Sequence, residues 1–279
     1  MRGPRLGLLA VLLAAPAAAQ EDCYPGPESN EAKTLAILSV PLAFAPLRAP
    51  ARPESGAVEV ALEISAIPTI DSATRTPTIC RPGKGPENTD LLFALFRPRV
   101  LVGLPGGLAL DLSWIPPIRV NGVKANLVGL ALGKTLGIGA SVTVGLRAHG
   151  TFGEIRAPVT CPEEALEDPD SACYGGIESD DRYRPNIFGG DVTAALRLAG
   201  GTLRPYLGAG YNRLEPRFQV QFTNRAGELD DRKVIVDLDR GVIFGGLDWA
   251  ASGRLALSGE VYAAPVDAVT GRIALRVGL

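Results

Sequence analysis

The stretch Val58-Glu59-Val60-Ala61-Leu62-Glu63-Ile64-Ser65 decides the fold. Val58, Val60, Leu62 and Ile64 fall on one side of an extended chain, and Glu59, Ala61, Glu63 and Ser65 on the other. A period of two is the signature of a β-strand. The contrast returns from Asp191 to Ala199, where Val192, Ala194, Leu196 and Leu198 oppose Asp191, Thr193, Ala195 and Arg197. Near the C-terminus Leu255, Leu257 and Val261 oppose Arg254, Ser258 and Glu260. The last strand sets Ile273, Leu275, Val277 and Leu279 against Arg272, Ala274, Arg276 and Gly278. One face calls for hydrocarbon and the other holds charge.

The connections alternate in length. Short ones fall at Pro105-Gly106, Thr135-Leu136, Gly200-Gly201 and Ala251-Ser252. Between them lie longer or more polar ones, at about Pro68–Thr89, Pro116–Asn121, Arg156–Pro185 and Asn224–Asp230, and a brief one at Pro265-Val266. Short turns at one end and long loops at the other are the asymmetry of an outer-membrane barrel. Ten strands are expected, at about 56–67, 90–103, 107–116, 122–134, 137–155, 186–199, 202–223, 231–250, 253–264 and 267–279. An even count returns both ends of the wall to the periplasm. Two places break the alternation: Leu127–Leu132 is apolar on both faces, and the frame shifts near Asp239–Gly241; a bulge at either place could reset the phase.

The fold class that follows is all-β: a closed, antiparallel, up-and-down transmembrane barrel of about ten strands, preceded by a short helix or plug. Residues 1–19 read as a signal peptide, with Arg2 and Arg5, an apolar run from Leu6 to Ala15, and Ala17-Ala18-Ala19 as the cleavage site before Gln20. Gln20-Glu21-Asp22 is too polar to make Cys23 a lipoprotein anchor. In residues 20–55, Asn30 is expected to cap a helix from Glu31 to about Ser39, interrupted by Pro41 and Pro46. Residues 56–279 form the barrel. Trp114 falls near the loop end of its strand and Trp249 near the turn end of another, where aromatic rings favour the two membrane interfaces. The rival reading makes both tryptophans core residues of a soluble sandwich.

The 28 basic and 30 acidic residues give a net charge of −2, and loss of Arg2 and Arg5 with the leader makes it more negative still. With no basic block in the chain, nucleic acid is not an expected partner. Outer-membrane lipid, lipopolysaccharide and the barrel-assembly machinery are expected partners, and the bacterial outer membrane is the expected location. All four cysteines lie in the exported part, where disulfides persist. Cys161 and Cys173 are close in a polar stretch and are expected to pair, leaving Cys23 for Cys80. A zinc site is the rival, but the C-x-x-C spacing and neighbouring histidines it favours are missing. If Cys23 does join the long loop at Cys80, the chain must descend through the lumen before its first strand.

The run Leu203-Arg204-Pro205-Tyr206-Leu207-Gly208-Ala209-Gly210-Tyr211 resembles the P-Y-x-G-x-G strands common in small bacterial outer-membrane barrel proteins. The resemblance covers the strand region from about residue 56 onward and implies an architecture, not an activity. That family usually ends in Phe or Trp, whereas this chain ends in Leu279.

The strand phases place Glu59, Glu63, Asp111, Asp191 and Glu260 in one lumen with Arg97, Arg99, Arg147 and Arg197. Arg204, Arg254, Arg272 and Arg276 share the same phase. Charges confined in a narrow barrel pair with each other; the sharper reading is a small pore biased toward anions by the arginine excess. His149 is the single histidine, with Glu154 a few residues on, and a barrel hydrolase using that pair is one alternative function. A soluble exported barrel binding a small ligand is another. The acidic run Glu163, Glu164, Glu167, Asp168, Asp170, Glu178, Asp180 and Asp181 reads as a solvated loop, since its spacing fits no EF-hand. No phosphate-binding loop or zinc-protease motif occurs, so no cofactor, metal or catalytic residue is expected. A structural or passive envelope role, with a narrow and partly plugged pore, is the expected function.

Overall fold

The computed structural model describes residues 22–279, so the leader assigned to residues 1–19 lies outside the described residues. Ten strands make the wall. They are β1 (Val58–Ala66), β2 (Ala94–Leu104), β3 (Leu108–Ile115), β4 (Val123–Ile138) and β5 (Val142–Ala157), then β6 (Ile187–Leu196), β7 (Leu203–Leu214), β8 (Leu238–Ala250), β9 (Leu255–Ala264) and β10 (Ala268–Gly278). Each pairs antiparallel with the next, from β1 on β2 through to β9 on β10. The ladder then closes, with β10 against β1, Val277 opposite Val60 and Ile273 opposite Ile64. Closure removes the exposed strand edges that an open sheet would carry.

The two-residue period sets what each face meets. Val60, Leu62, Leu130, Leu132, Val192, Leu207, Ile243, Leu257, Val261 and Ile273 stand exposed on the outside. Their neighbours one residue away, such as Glu63, Ala131, Asp191 and Ser258, are buried inside. Trp114 and Trp249 both point outward, 53% and 47% exposed.

Three expectations are corrected. The frame does not shift at Asp239–Gly241: β8 pairs with β7 without interruption from Leu238 opposite Leu214 to Trp249 opposite Leu203. Nor does Leu127–Leu132 need a bulge. Its register is continuous, and its inner face is apolar where Leu127 is buried and Gly129 meets the chain inside the barrel; a Cβ on Gly129 would lie 3.3 Å from the Phe44 ring. The short turn placed at Thr135-Leu136 lies instead at residues 139–141, where Gly139 supplies a φ of 65°.

β7 and β8 are also shorter than their expected spans, because the chain between them leaves the wall. Arg217–Gln219 pairs with Asp181–Arg184 and with Lys233–Ile235, and Asp181–Arg184 pairs with the end of β5. This small sheet caps the long-loop end of the barrel. The described N-terminus is stitched to its free edge: Cys23 N–H donates to Lys233 at 2.7 Å, and its carbonyl accepts from Ile235 N–H at 2.9 Å. Disulfides join Cys23 to Cys80 and Cys161 to Cys173.

Helix α1 (Asn30–Ser39) follows, in the mouth of the barrel. Its cap is Ser29, whose Oγ accepts Ala32 N–H at 3.2 Å, and not Asn30 as the sequence suggested. Asn30 instead donates to the carbonyls of Ala73 and Thr76 in the first long loop. Pro41 lacks the N–H that would continue the helix, and the chain opens out. Residues 40–51 then run down the inside of the wall to the short-turn end. Leu42 meets Arg97 and Thr151, Leu47 meets Glu260, Pro50 meets Thr143, and Ala51 meets Thr135.

Candidate functional site

The lumen is the site the sequence pointed to, and it is built from the strands inward. β1 brings Glu59 and Glu63 to the inner face, β2 brings Arg97 and Arg99, and β10 brings Arg272 and Arg276. Glu63 is fully buried. Its carboxylate lies 3.5 Å from Arg97 Nη1, 2.9 Å from Arg99 Nη1 and 3.7 Å from Arg272 Nη1, and accepts the Ser65 hydroxyl at 2.8 Å. Arg99 also reaches Asp111 on β3. Across the lumen, Arg147 of β5 holds Asp191 of β6 at 2.7 Å. Nearer the short turns, Asp248 joins Arg276 and Arg204, the latter at 2.8 Å, while Glu59 joins Arg276 at 3.3 Å and Arg48 at 2.8 Å.

The arginines outnumber the acids they touch because they have a second task. Val40 to Ala45 is not helical and has no strand beside it, so its carbonyls need donors from elsewhere. Arg272 donates to Val40 and Ala43, each at 2.7 Å, Arg97 to Leu42 at 2.9 Å, Arg147 to Phe44 at 2.6 Å and Arg99 to Ala45 at 3.2 Å. Glu260 returns the favour by accepting Leu47 N–H at 3.0 Å, and it also accepts the Tyr206 hydroxyl at 3.1 Å. The Phe44 ring is wholly buried among three guanidinium groups, 4.3 Å from Arg99, 5.6 Å from Arg97 and 5.8 Å from Arg147. Such cation–π contacts strengthen when water is excluded.

Two expected members are not in this network. Arg197 lies just beyond the end of β6, and Arg254 sits in the turn before β9; both are exposed at the short-turn rim. Their phase is inward, but the strands stop before reaching them. One important acid was missed: Asp248, which is completely buried and takes two arginines. Arg240 was missed as well; it turns inward to Asp267 at 2.8 Å. Both lie in the even-numbered phase of β8 that the supposed frame shift concealed.

His149 is buried, with its Nε2 3.5 Å from Asp191 Oδ2. The expected partner Glu154 is engaged elsewhere, with Arg156 and Arg184, each at 2.8 Å. The acidic loop splits in two. Glu163, Glu164, Glu167, Asp168, Asp170 and Glu178 are exposed as expected of a solvated loop, the first three on the short helix α2 (Glu163–Glu167). Asp181 is buried, contrary to expectation, and accepts Thr160 N–H at 2.6 Å, Gln221 N–H at 2.8 Å and the Ser179 hydroxyl at 2.9 Å. Burial pushes its carboxyl above the ordinary carboxylate value in spite of these donors. Among the described residues no group of three or more His, Cys, Asp or Glu is placed to hold a metal ion.

Above the charged zone the character changes. A cavity of about 140 Å³ lies between α1 and the wall at the long-loop end. Leu35, Leu38 and Leu42 line it from within, and Leu95, Val123, Ala125 and Ile155 from the wall. Sequence patterning carried no sign of it.

Closed ladder, apolar exterior and ion-paired interior together define a β-barrel of the transmembrane type. No family model matches the chain, and no curated protein matches it. Among solved structures it is similar to the Pseudomonas putida toluene transporter TodX, with 12% identity, 87% of this chain and 71% of that chain covered, and a TM-score of 0.31. It is also similar to Ail, the attachment invasion locus protein of Yersinia pestis, with 10% identity, coverage of 81% and 98%, and a TM-score of 0.29. A loop L8 deletion mutant of OmpT, an outer membrane protein of Vibrio cholerae, shows 13% identity, coverage of 68% and 56%, and a TM-score of 0.27.

Proposed function

We propose that the protein is an occluded barrel of the bacterial outer membrane, passive in its role, whose N-terminal segment is a resident plug. The single observation that carries this reading is the arginine-bonded path of residues 40–47, buried throughout, down the middle of the lumen. A chain held by that many charge-assisted hydrogen bonds at low dielectric is a fixed part of the barrel.

The membrane setting follows from the outside of the wall. Leucines, valines and isoleucines cover strands of a length suited to crossing a bilayer at a tilt, and Trp114 and Trp249 sit toward opposite ends of the apolar band. The long-loop end with its disulfides faces outward, and lipid and lipopolysaccharide are the contacts of the belt. The barrel-assembly machinery is the partner during biogenesis. Conduction is a latent property of this barrel, not its resting one.

Planar-bilayer recording tests the reading. The intact protein is expected to give no regular step conductance, and a variant lacking residues 22–51 to give steps. Because that deletion removes Cys23 and the filling of the lumen, a second measurement is needed. In Ala43→Cys the thiol is expected to resist small water-soluble thiol reagents from both sides of the folded barrel. Regular steps from the intact protein, or rapid modification at residue 43, would overturn the proposal.

A further inference from the structure

The wall behind the mouth cavity is interrupted. β2 and β3 pair from Leu104 opposite Leu108 up to Arg99 opposite Ser113, and there the ladder stops. Both flanking strands continue past that point: β2 stays paired with β1 out to Ala94, and β4 stays paired with β5 out to Lys124. Prolines explain the break. Pro98 stands on one side, Pro116 and Pro117 on the other, and none has an N–H to give to a ladder. In the register set by Arg99 and Ser113, Pro98 would face Trp114, and Pro116 and Pro117 would face Phe96 and Leu95. The result is a seam that no backbone hydrogen bond crosses among the described residues, between the outer part of β2 and the end of β3 with the residues that follow it.

The cavity lies against this seam. Its wall residues include Leu95 of β2 and Val123 and Ala125 of β4, on the two sides of the seam, with Ile155 and Ala157 of β5 beyond them, and none comes from β3. The outer surface beside the seam is apolar, with Phe96 52%, Trp114 53% and Ile118 66% exposed. Non-helical backbone at membrane depth is tolerated where it lines a cavity.

The charged groups at the cavity's edge are each paired within the protein. Glu31 is taken by the N–H groups of Thr78, Ile79 and Cys80, Arg75 by Asp90, Arg81 by Glu87, and Asp181 by the donors described above. Three polar atoms of lining residues are buried without a hydrogen-bond partner: Thr89 Oγ1 and the Nε atoms of Arg75 and Arg81, whose guanidinium groups are otherwise paired with Asp90 and Glu87. The charges at the edge are matched within the protein, so an ionised ligand would have to compete with these pairs, whereas a hydrocarbon displaces none of them. An enclosed apolar cavity of about 150 Å³ takes up a benzene-sized molecule, and the cavity here, partly open and of about 140 Å³, has the size for one such group.

We propose that this cavity binds one small uncharged hydrocarbon group, with at most a single hydroxyl or carbonyl to meet Thr89, and that the group enters from the outer leaflet through the β2–β3 seam. The group belongs either to a free small molecule or to the end of a lipid acyl chain. The binding site stands on the cavity alone, whereas the route through the seam rests on the membrane reading above.

Photo-crosslinking of the intact protein in lipid nanodiscs tests both parts. One arm uses a short alkyl diazirine free in solution, the other a phospholipid with a diazirine near the end of its acyl chain, and labelled residues are mapped by mass spectrometry. The free probe is expected to label Leu35 and Leu95, with at least a tenfold loss of label under excess hexan-1-ol and a similar loss in Ala125→Phe, whose folded gel mobility should be unchanged. Labelling of Leu35 and Leu95 by the lipid probe instead identifies an acyl chain as the source. If the lipid probe labels Phe96, Ile118 and the belt while neither probe reaches Leu35 or Leu95, the binding site is overturned and the membrane reading stands. If the lipid probe labels nothing on the belt, the membrane reading and the seam route fall, and the binding site is then judged on the free probe alone.

Discussion

Residues Asn30–Ser39 and Val40–Pro50 are consecutive and both enclosed by the barrel, yet the first stretch lies against leucine, valine and phenylalanine and the second against arginine, glutamate and aspartate. The difference lies in where each stretch puts its backbone hydrogen bonds. A helix satisfies its own carbonyls along most of its length, so the wall around α1 is free to be apolar, and a cavity can remain there. After Pro41 the backbone opens, and every buried carbonyl needs an outside donor. Arginine suits that role because one guanidinium spans a carboxylate and a carbonyl at once. The lumen charges are thus read less as a filter for ions than as the ladder partner of a strand-like chain that has no strand beside it.

The comparison breaks first at Arg99. Its guanidinium touches Glu63, Asp111 and the Ala45 carbonyl. Arg99→Met leaves two buried acids short of a partner, at an expected cost of about 3–5 kcal/mol. Leu35→Ala, in the helical stretch, enlarges a cavity that already exists and is expected to cost about 2–3 kcal/mol. Urea titration of the folded barrel in detergent, followed by its heat-modifiable gel mobility, ranks the two. A larger loss at Leu35 than at Arg99 would mean that apolar packing at the mouth, and not the arginine lattice, holds the segment in place.

The contrast can be sharpened on a single strand. Ala125 and Gly129 both face inward on β4, four residues apart, the first against the cavity and the second against Phe44. A Cβ on Gly129 would fall 2.4 Å from Ser113 Oγ and 3.3 Å from the Phe44 ring. Gly129→Leu is therefore expected to cost about 1–3 kcal/mol by overpacking. Ala125→Leu, pointing into empty space, is expected to change stability by less than about 1 kcal/mol, and in the stabilising direction if the new methyls fill the cavity. Equal costs at the two positions would show that the mouth is as tightly filled as the lumen.

The sequence was legible where lipid-type patterning runs unbroken. Val58–Ser65 and Ile273–Leu279 alternate without exception because one side meets a uniform exterior and the other a charged interior. Legibility failed where a strand rises above the apolar band. Asp239 faces outward beside Tyr211 and Arg213 at the long-loop rim, and a charge on that face looks like a change of phase when it is only a change of height. Asp248 and Arg240 were lost with it. Arg197 and Arg254 mark the opposite failure: their phase is inward, but the strand ends first. The arginine targets in Val40–Ala45 left no trace at all, since a carbonyl looks the same in every residue. The seam was hidden for a related reason. Pro98 and Pro116-Pro117 are plain in the sequence, but only the register reveals that they fall on the two sides of one interrupted ladder.

The smallest expected loss of stability tests how the helical stretch is held at its outer end. Glu31, buried in the first turn of α1, accepts the N–H groups of Thr78 at 2.9 Å, Ile79 at 2.7 Å and Cys80 at 2.8 Å. Burial pushes its carboxyl up, but the three donors outweigh burial and hold it below its ordinary value of 4.5. A carboxyl depressed in the folded state adds stability that is fully present above its unfolded value and is lost as the pH falls through its folded value. The contact between α1 and the first long loop is therefore expected to be insensitive to pH from neutrality down to about 4.5 and to weaken below it. The Cys23–Cys80 disulfide keeps the loop tethered, so the change is local. Hydrogen-exchange protection at Thr78, Ile79 and Cys80, measured against strand amides of β7 in the same sample, is expected to drop by about tenfold or less, roughly 1 kcal/mol, as the carboxylate protonates. Glu31→Gln should remove that pH dependence. Persistence of the acid response in Glu31→Gln would place it in another carboxylate and leave the helix end held by its apolar contacts alone.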